Sequence, residues 1–302
     1  MLLNLHSYYS LRYGTLSLSD LISGMLIGGY DTGVLTDINN SSGSLDFIKL
    51  GREAGLNILA GMEFRNGDEL CFVAIAKNEV GFREINEYRT KLNMEERPVQ
   101  DRSPGFQHVF VIYPFTKIGT FQLRDFEYIG IRPGERTKAQ LLGHKLLDRC
   151  VIMAPVSFRK ADYTLHRQLR AIDNNLLISQ LDVHQVASED EMFVPKAKLM
   201  RFYSDLPQVL ANTNRLLGQC PFDFDFGSVK NKATFTGNRY NDKQLLHKYC
   251  MDGFQRRYGK NDRIATERIQ RELEIIENLR FSSYFLITDD ICRYARGRNS
   301  HS

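Results

Sequence analysis

The stretch Thr36 to Glu63 reads TDINNSSGSLDFIKLGREAGLNILAGME. A short β-type run, Gly33 to Thr36, leads into it and ends on the carboxylate of Asp37. A helical pattern from Ser44 to Ala54 then stops at Gly55, a residue that can close a helix in the left-handed region without a Cβ penalty. A second β-type run, Ile58 to Glu63, ends on another carboxylate. Strand, helix and strand of this length form one βα unit, and both acids fall at the strand ends.

The same alternation extends to either side. Further β-type runs occur at Leu2 to His6, Leu70 to Ala76, Val109 to Tyr113, Tyr128 to Ile131 and Val151 to Ala154. Seven short strands with helices between them predict a largely parallel α/β sheet or barrel. The first helix begins near Ser17 or Ser19, either of which can cap the free amides. It carries Leu21, Ile22, Met25 and Leu26 as one apolar stripe and ends at Gly28-Gly29. Barrels of parallel strands converge their chemistry at the C-terminal strand ends. LNLHSYYS (Leu3 to Ser10), LTDINN (Leu35 to Asn40) and AGMEF (Ala60 to Phe64) therefore bring His6, Asp37 and Glu63 to one mouth. One imidazole and two carboxylates can hold a divalent ion or form an acid–base set; strand-end acids also cap helices and pair with arginine.

With 302 residues the chain exceeds the usual span of one core, which predicts one large domain and part of another. No apolar run reaches 18 residues, and the opening Met1 to Leu5 is too short for a signal peptide, so a soluble cytoplasmic protein without membrane partners is expected. Cys71, Cys150, Cys220, Cys250 and Cys292 lie far apart and form no CxxC pair, which predicts reduced thiols. From Val229 onward there are 15 Lys and Arg against 9 Asp and Glu, leaving 25 against 27 before it. Such a basic tail can face phosphates or be a solvated helix face with paired charges. Within it Ala265, Ile269, Leu273, Ile276 and Leu279 follow helical spacing, and Glu267 can pair with Arg271. Polar residues between Asn93 and Phe106 predict an exposed loop, and Phe222 to Asn238 a domain break. GMLIGG (Gly24 to Gly29) lacks the Lys-Ser/Thr of a phosphate loop. Tyr8 and Tyr9 can stack on bases or pack at the rim. His108, His144, His166, His184, His247 and His301 show no ligand spacing and are expected to be core or surface residues.

The stretch Thr36 to Glu63 resembles, without gaps, the PHP-domain segment TDHGNxxGxxxFxxxxxxAGIKPIxGxE of bacterial DNA polymerase III alpha subunits. LNLHSYYSLRYG resembles the opening HxHSxYSLLDG, LCFVAIAKN (Leu70 to Asn78) the HLxLLAKN strand, and ELEIIENLRFSSYFLITDDICRYAR (Glu272 to Arg296) the start of the polymerase palm. The resemblance implies a distorted (β/α)7-type PHP barrel over residues 1–228, followed over 229–302 by the mainly helical N-terminal part of a palm. It also implies two or three metal ions held by His, Asp, Glu and Cys for phosphodiester hydrolysis. Carried over position by position, His6, Asp37 and Glu63 are kept. Asn4, Tyr13 and Ile38 replace a His, an Asp and a His, Cys71 falls on a His, and in APVSF (Ala154 to Phe158) Pro155 and Ser157 stand for an Asp and a His.

Replacement of so many ligands predicts a metal-poor pseudo-enzyme, since adjacent cations need bridging carboxylates. His6, Asp37, Glu63 and Cys71 could at most hold one zinc or similar ion; alternatively His6 and Asp37 persist as a buried hydrogen-bonded pair. Without ions, Asp37 and Glu63 need backbone amides, His6 or a nearby Arg, and Asn4, Tyr13 and Ile38 should fill the mouth and make it narrower and more apolar. The resemblance implies a full-length DNA-directed DNA polymerase using magnesium, with the remaining polymerase chain, a proofreading exonuclease subunit, other replisome components and DNA as partners. The 302 residues alone are expected to be inactive, with Asp289 and Asp290 outside catalysis. The alternative reading is an active metal-dependent phosphoesterase or 3'-5' exonuclease with a reduced metal site.

Overall fold

A computed structural model describes residues 2–228, 233–258 and 262–298; Val229, where the basic tail begins, and His301 lie outside the described residues. The chain forms two compact units, Met1–Phe224 and Asp225–Ser302.

In the first unit β1 (Leu2–Leu5), β2 (Thr32–Leu35), β3 (Asn57–Asn66), β4 (Glu69–Ala76), β5 (Val109–Pro114), β6 (Glu127–Ile131) and β7 (Cys150–Ile152) make one sheet in sequence order. It curls so that the residues after β7 reach β1: Leu5 bridges Val156, with His6 N donating to Val156 O at 2.8 Å and Val156 N to Asn4 O at 3.0 Å. This closure brings the APVSF segment beside His6. Six of the seven strands have a parallel neighbour, but β4 is antiparallel to both β3 and β5. The reason is local: only Gly67 and Asp68 separate β3 from β4, too little chain for a parallel crossover.

Helix α1 (Leu18–Ile27) starts at Ser17, whose hydroxyl accepts from Asp20 N while Ser17 N donates to the Asp20 carboxylate. Leu18, Leu21, Ile22 and Met25 are buried, whereas Leu26 is 51% exposed. Helix α2 (Ser44–Glu53) buries Phe47 and Ile48 on β3's side and is followed by Gly55 at φ 73°. Helix α3 (Glu79–Met94) takes in the first two residues of the expected loop, Asn93 and Met94. The rest of that loop is irregular but not wholly exposed: Val99 and Ser103 are buried, Ser103 donating to Glu127 Oε1 at 3.1 Å. One-turn helices α4 (Arg136–Ala139) and α5 (His144–Leu147) precede β7, and α6 (Tyr163–Asn174), α7 (Lys196–Phe202) and α8 (Pro207–Gly218) follow it. Cys71, Cys150 and Cys220 are buried, and burial pushes the thiols of Cys150 and Cys220 up to about 12.

The second unit holds α9 (Arg239–Tyr258), α10 (Arg263–Asn278) and α11 (Ser282–Gly297). Buried Asp242 accepts from Phe235 N, Thr236 N and the Thr236 hydroxyl, tying the incoming chain to α9. Glu267 pairs with Arg263 at 2.9 Å rather than with Arg271, and Asp289 pairs with Arg293 at 2.7 Å. No α10 residue is fully buried, so the periodic stripe Ala265 to Leu279 is only partly covered within this unit. No helix of the described residues is long and apolar enough to cross a membrane.

Candidate functional site: the closed strand mouth

Neighbouring strands set the positions of the site residues. Leu5 pairs with Leu35 and Leu35 with Ala60, so the C-terminal ends of β1 and β2 lie beside the middle of β3, which runs on to Asn66 and so holds Glu63 inside the strand and not at its expected end. Beyond those ends Ile38 bridges Glu63, and Ser157 follows Val156 on the other side of β1. Asn4, His6, Asp37, Glu63 and Ser157 are all buried to 1% exposure or less.

Glu63 is the hub. Its Oε2 accepts from Asn4 Nδ2 at 2.8 Å and lies 3.1 Å from His6 Nε2, and its Oε1 accepts from Arg65 Nε at 2.5 Å. Burial alone would push this carboxyl up; the Arg65 guanidinium, helped by His6 and Asn4, outweighs it and holds the group far below the usual carboxylate range. Glu63 and Arg65 are two apart on one strand and so share a face. Opposite them, Phe64 pairs with Phe72 and Arg65 with Leu70, leaving Cys71 as the extra residue of a bulge.

Asp37 is satisfied separately. It accepts from Ser7 N at 2.7 Å, Ser7 Oγ at 2.7 Å and Ser10 Oγ at 2.6 Å, all uncharged donors, and burial leaves its carboxyl above the ordinary value. None of the described hydrogen bonds joins His6 to Asp37. Instead His6 Nδ1 lies 2.8 Å from Ser157 Oγ, which donates to Glu191 Oε2 at 2.9 Å; Glu191 also accepts from Arg132 Nη1 at 3.1 Å and Tyr13 OH at 3.3 Å.

Tyr13 is buried with Phe158 and Ala187, and Ile38 packs against that cluster. Arg65 lies over the Tyr13 ring, 4.3 Å from its centroid. Tyr13 and Ile38 thus fill the mouth, but the mouth is ionic where it was expected to be apolar, because arginines supply the counter-charge. Cys71 sits elsewhere in the main core, its Sγ facing Glu69 O at 3.8 Å, and Pro155 is buried without a polar role. Ser7, Ser10, Arg65, Arg132 and Glu191 are site residues that the sequence reading passed over. The signal for Arg65 was present in the i, i+2 spacing from Glu63; Glu191 lies in an irregular segment and gave none.

Residues 3–110 match the PHP domain family, and residues 244–301 match the bacterial DNA polymerase III alpha NTPase domain. The chain carries a PHP domain and, after it, a segment of the polymerase III alpha NTPase domain. Its relatives include the DNA polymerase III subunit alpha of Halalkalibacterium halodurans, 23% identical over 97% of this chain, and that of Ureaplasma parvum, 25% identical over 97%. An error-prone DNA polymerase of Symbiobacterium thermophilum is 21% identical over 98%. The chain spans only 29% of the length of the two alpha subunits and 32% of the third protein.

The metal cluster that the PHP resemblance implies does not fit these residues. Asn4 presents its NH2 group, not a lone pair, to Glu63 and to Thr36 Oγ1 at 2.8 Å, which leaves one neutral acceptor, Asn4 Oδ1, without a protein partner. A single amide oxygen cannot replace the charge that two or three cations require. Among the described residues no three His, Cys, Asp or Glu side chains gather in a metal-holding group.

The PHP domain buries one further histidine beside Tyr13. His166 Nε2 accepts from Ala187 N at 2.9 Å, so Nδ1 carries the hydrogen and donates to Tyr13 O at 2.7 Å. Burial, and less strongly the nearby Arg170 and Arg65, lower its pKa against the hydrogen bond to Tyr13 O and the charge of Glu191. A histidine held neutral in the fold binds fewer protons than in the unfolded chain. Its contribution is therefore complete above the unfolded value of about 6.5 and is lost as pH falls below that, by at most about 1.4 kcal/mol per pH unit. Urea unfolding at neutral and mildly acidic pH should show this slope, and His166→Gln should flatten it. An unchanged slope in the variant would place the titration elsewhere.

Proposed function

We propose that this chain is the N-terminal part of a DNA polymerase III alpha subunit whose PHP domain has stopped working as a metal-dependent phosphoesterase and serves as a structural and partner-docking platform. The observation that carries the reading is the commitment of Glu63: the acid best placed to bridge cations is held by Asn4, His6 and Arg65. A carboxylate with three of its four acceptor positions taken, one of them by a guanidinium that already neutralises it, is poorly able to bridge and neutralise adjacent ions. The partners of such a platform are the rest of the polymerase chain, a proofreading exonuclease subunit and other replisome components. DNA and magnesium belong to the nucleotidyl-transfer centre of the full-length polymerase.

The test is elemental analysis of protein purified without chelator, together with a phosphodiesterase assay. Less than about one divalent ion per chain and no hydrolysis are expected, because a multinuclear site needs charge that this mouth lacks. Two or more bound ions, with hydrolysis abolished by His6→Ala or Glu63→Gln, would replace this reading with that of a working phosphoesterase or 3'-5' exonuclease.

A further inference from the structure

Two linked ion pairs run through the mouth, buried except for the partly exposed Arg132. Glu63 ends on Arg65 and Glu191 on Arg132, and the two acids are joined through His6 and Ser157. Arg65 is 8% exposed and held on two sides: its Nε donates to Glu63 and its guanidinium lies over the Tyr13 ring. An arginine keeps its charge at every pH at which a protein is folded, and its planar fork suits a carboxylate. An ion can leave such a site; a guanidinium anchored in β3 cannot.

We propose that Arg65, backed by Arg132, is the permanent counter-cation of the PHP mouth: it supplies the neutralising charge that bound ions would supply in a metal-holding relative, makes the fold independent of metal and bars cations from Glu63. This rests on the reading of the domain as metal-poor and adds the residue responsible. Arg65 also lines a cavity of about 1000 Å3 shared with Arg132 and Glu191, and a smaller one of about 330 Å3 shared with Ile38 and Arg89. Shortening its side chain therefore opens a path from solvent to Glu63 wide enough for a small cation.

The experiment uses the 302-residue chain and reads its melting temperature. EDTA or millimolar manganese should leave the wild type unmoved. Arg65→Ala, which strands a buried carboxylate, should melt about 10 °C lower, and millimolar methylguanidinium or manganese should restore at least part of the loss. Arg65→Lys should fall between the two. An Arg65→Ala protein melting within about 2 °C of wild type, or one that neither cation rescues, would overturn the role of Arg65. Should Arg65→Ala not fold, the double variant Glu63→Gln/Arg65→Met, which removes both charges, is expected to fold; a double variant that is also unfolded would equally overturn it. The two readings fail differently. A metal-free wild type indifferent to the loss of Arg65 sinks only the counter-cation, whereas two ions per wild-type chain sink the metal-poor domain as well.

Discussion

Asn4→Asp is expected to destabilise the PHP domain by about 4 kcal/mol at neutral pH, although the two side chains have nearly the same shape. Both amide hydrogens of Asn4 are in use, one on Thr36 Oγ1 and one on Glu63 Oε2, each at 2.8 Å. The substitution removes both donors and sets a second carboxylate against Glu63 in a site 1% exposed. Two buried like charges in contact raise the pKa of one of them, so the new carboxyl should bind a proton in the fold at a pH where it is ionised in the unfolded chain. A group with a raised folded pKa destabilises above that value and recovers as pH falls through it. The deficit relative to wild type, measured by urea unfolding, should therefore shrink between neutral pH and about pH 5. A deficit below about 1 kcal/mol at neutral pH would mean that Asn4 is a filler and not a donor on which Glu63 depends.

Much of this centre could be read from the chain before any coordinates. Strand-end positions placed His6, Asp37 and Glu63 at one mouth, and the structure buries all three there. Serial matching identified Asn4, Tyr13, Ile38 and Ser157, which line or complete that mouth. What failed has physical causes. Cys71 was counted as a neighbour because it falls on a His in the resemblance to HLxLLAKN, yet a one-residue bulge leaves it unpaired opposite Phe64 and Arg65. A match of motifs cannot see a bulge. The mouth was expected to turn apolar because Asn4, Tyr13 and Ile38 fill it; of the two acids that remain, Asp37 is satisfied by Ser7 and Ser10, while Glu63 takes the nearby arginine that a buried carboxylate was expected to need, Arg65, and Glu191, which the sequence did not bring to the mouth, takes Arg132. Glu191 comes from a segment without periodicity, and only tertiary folding brings it to Ser157. The antiparallel β4 shows the same limit. The runs were recognised, but direction depends on whether the connection is long enough to cross over.

The loop that carries Ser7 and Ser10 to Asp37 depends on one glycine, and Gly14→Ala is expected to cost about 3 kcal/mol or more. Gly14 closes the block LNLHSYYSLRYG, where the chain turns back on itself: Ser10 N donates to Ser7 O at 2.9 Å, and Gly14 N to Ser10 O at 2.9 Å. A Cβ at Gly14 would lie 2.0 Å from Ser7 O and 2.7 Å from Ser7 C, both backbone atoms that no rotamer change can move. Its backbone is not in the left-handed region, so the requirement is space and not conformation. Relief of the clash must displace the Ser7 peptide, whose own N–H and hydroxyl both donate to Asp37. The substitution should therefore loosen two buried polar contacts in addition to straining the turn, which is why the cost exceeds that of an ordinary added methyl. Urea unfolding of Gly14→Ala beside Ser7→Ala separates the two parts. The glycine variant should be the less stable, and in the double variant the losses should fall short of additive, because both act through the same contacts with Asp37. Full additivity would show that the close approach at Gly14 and the seating of Asp37 are independent.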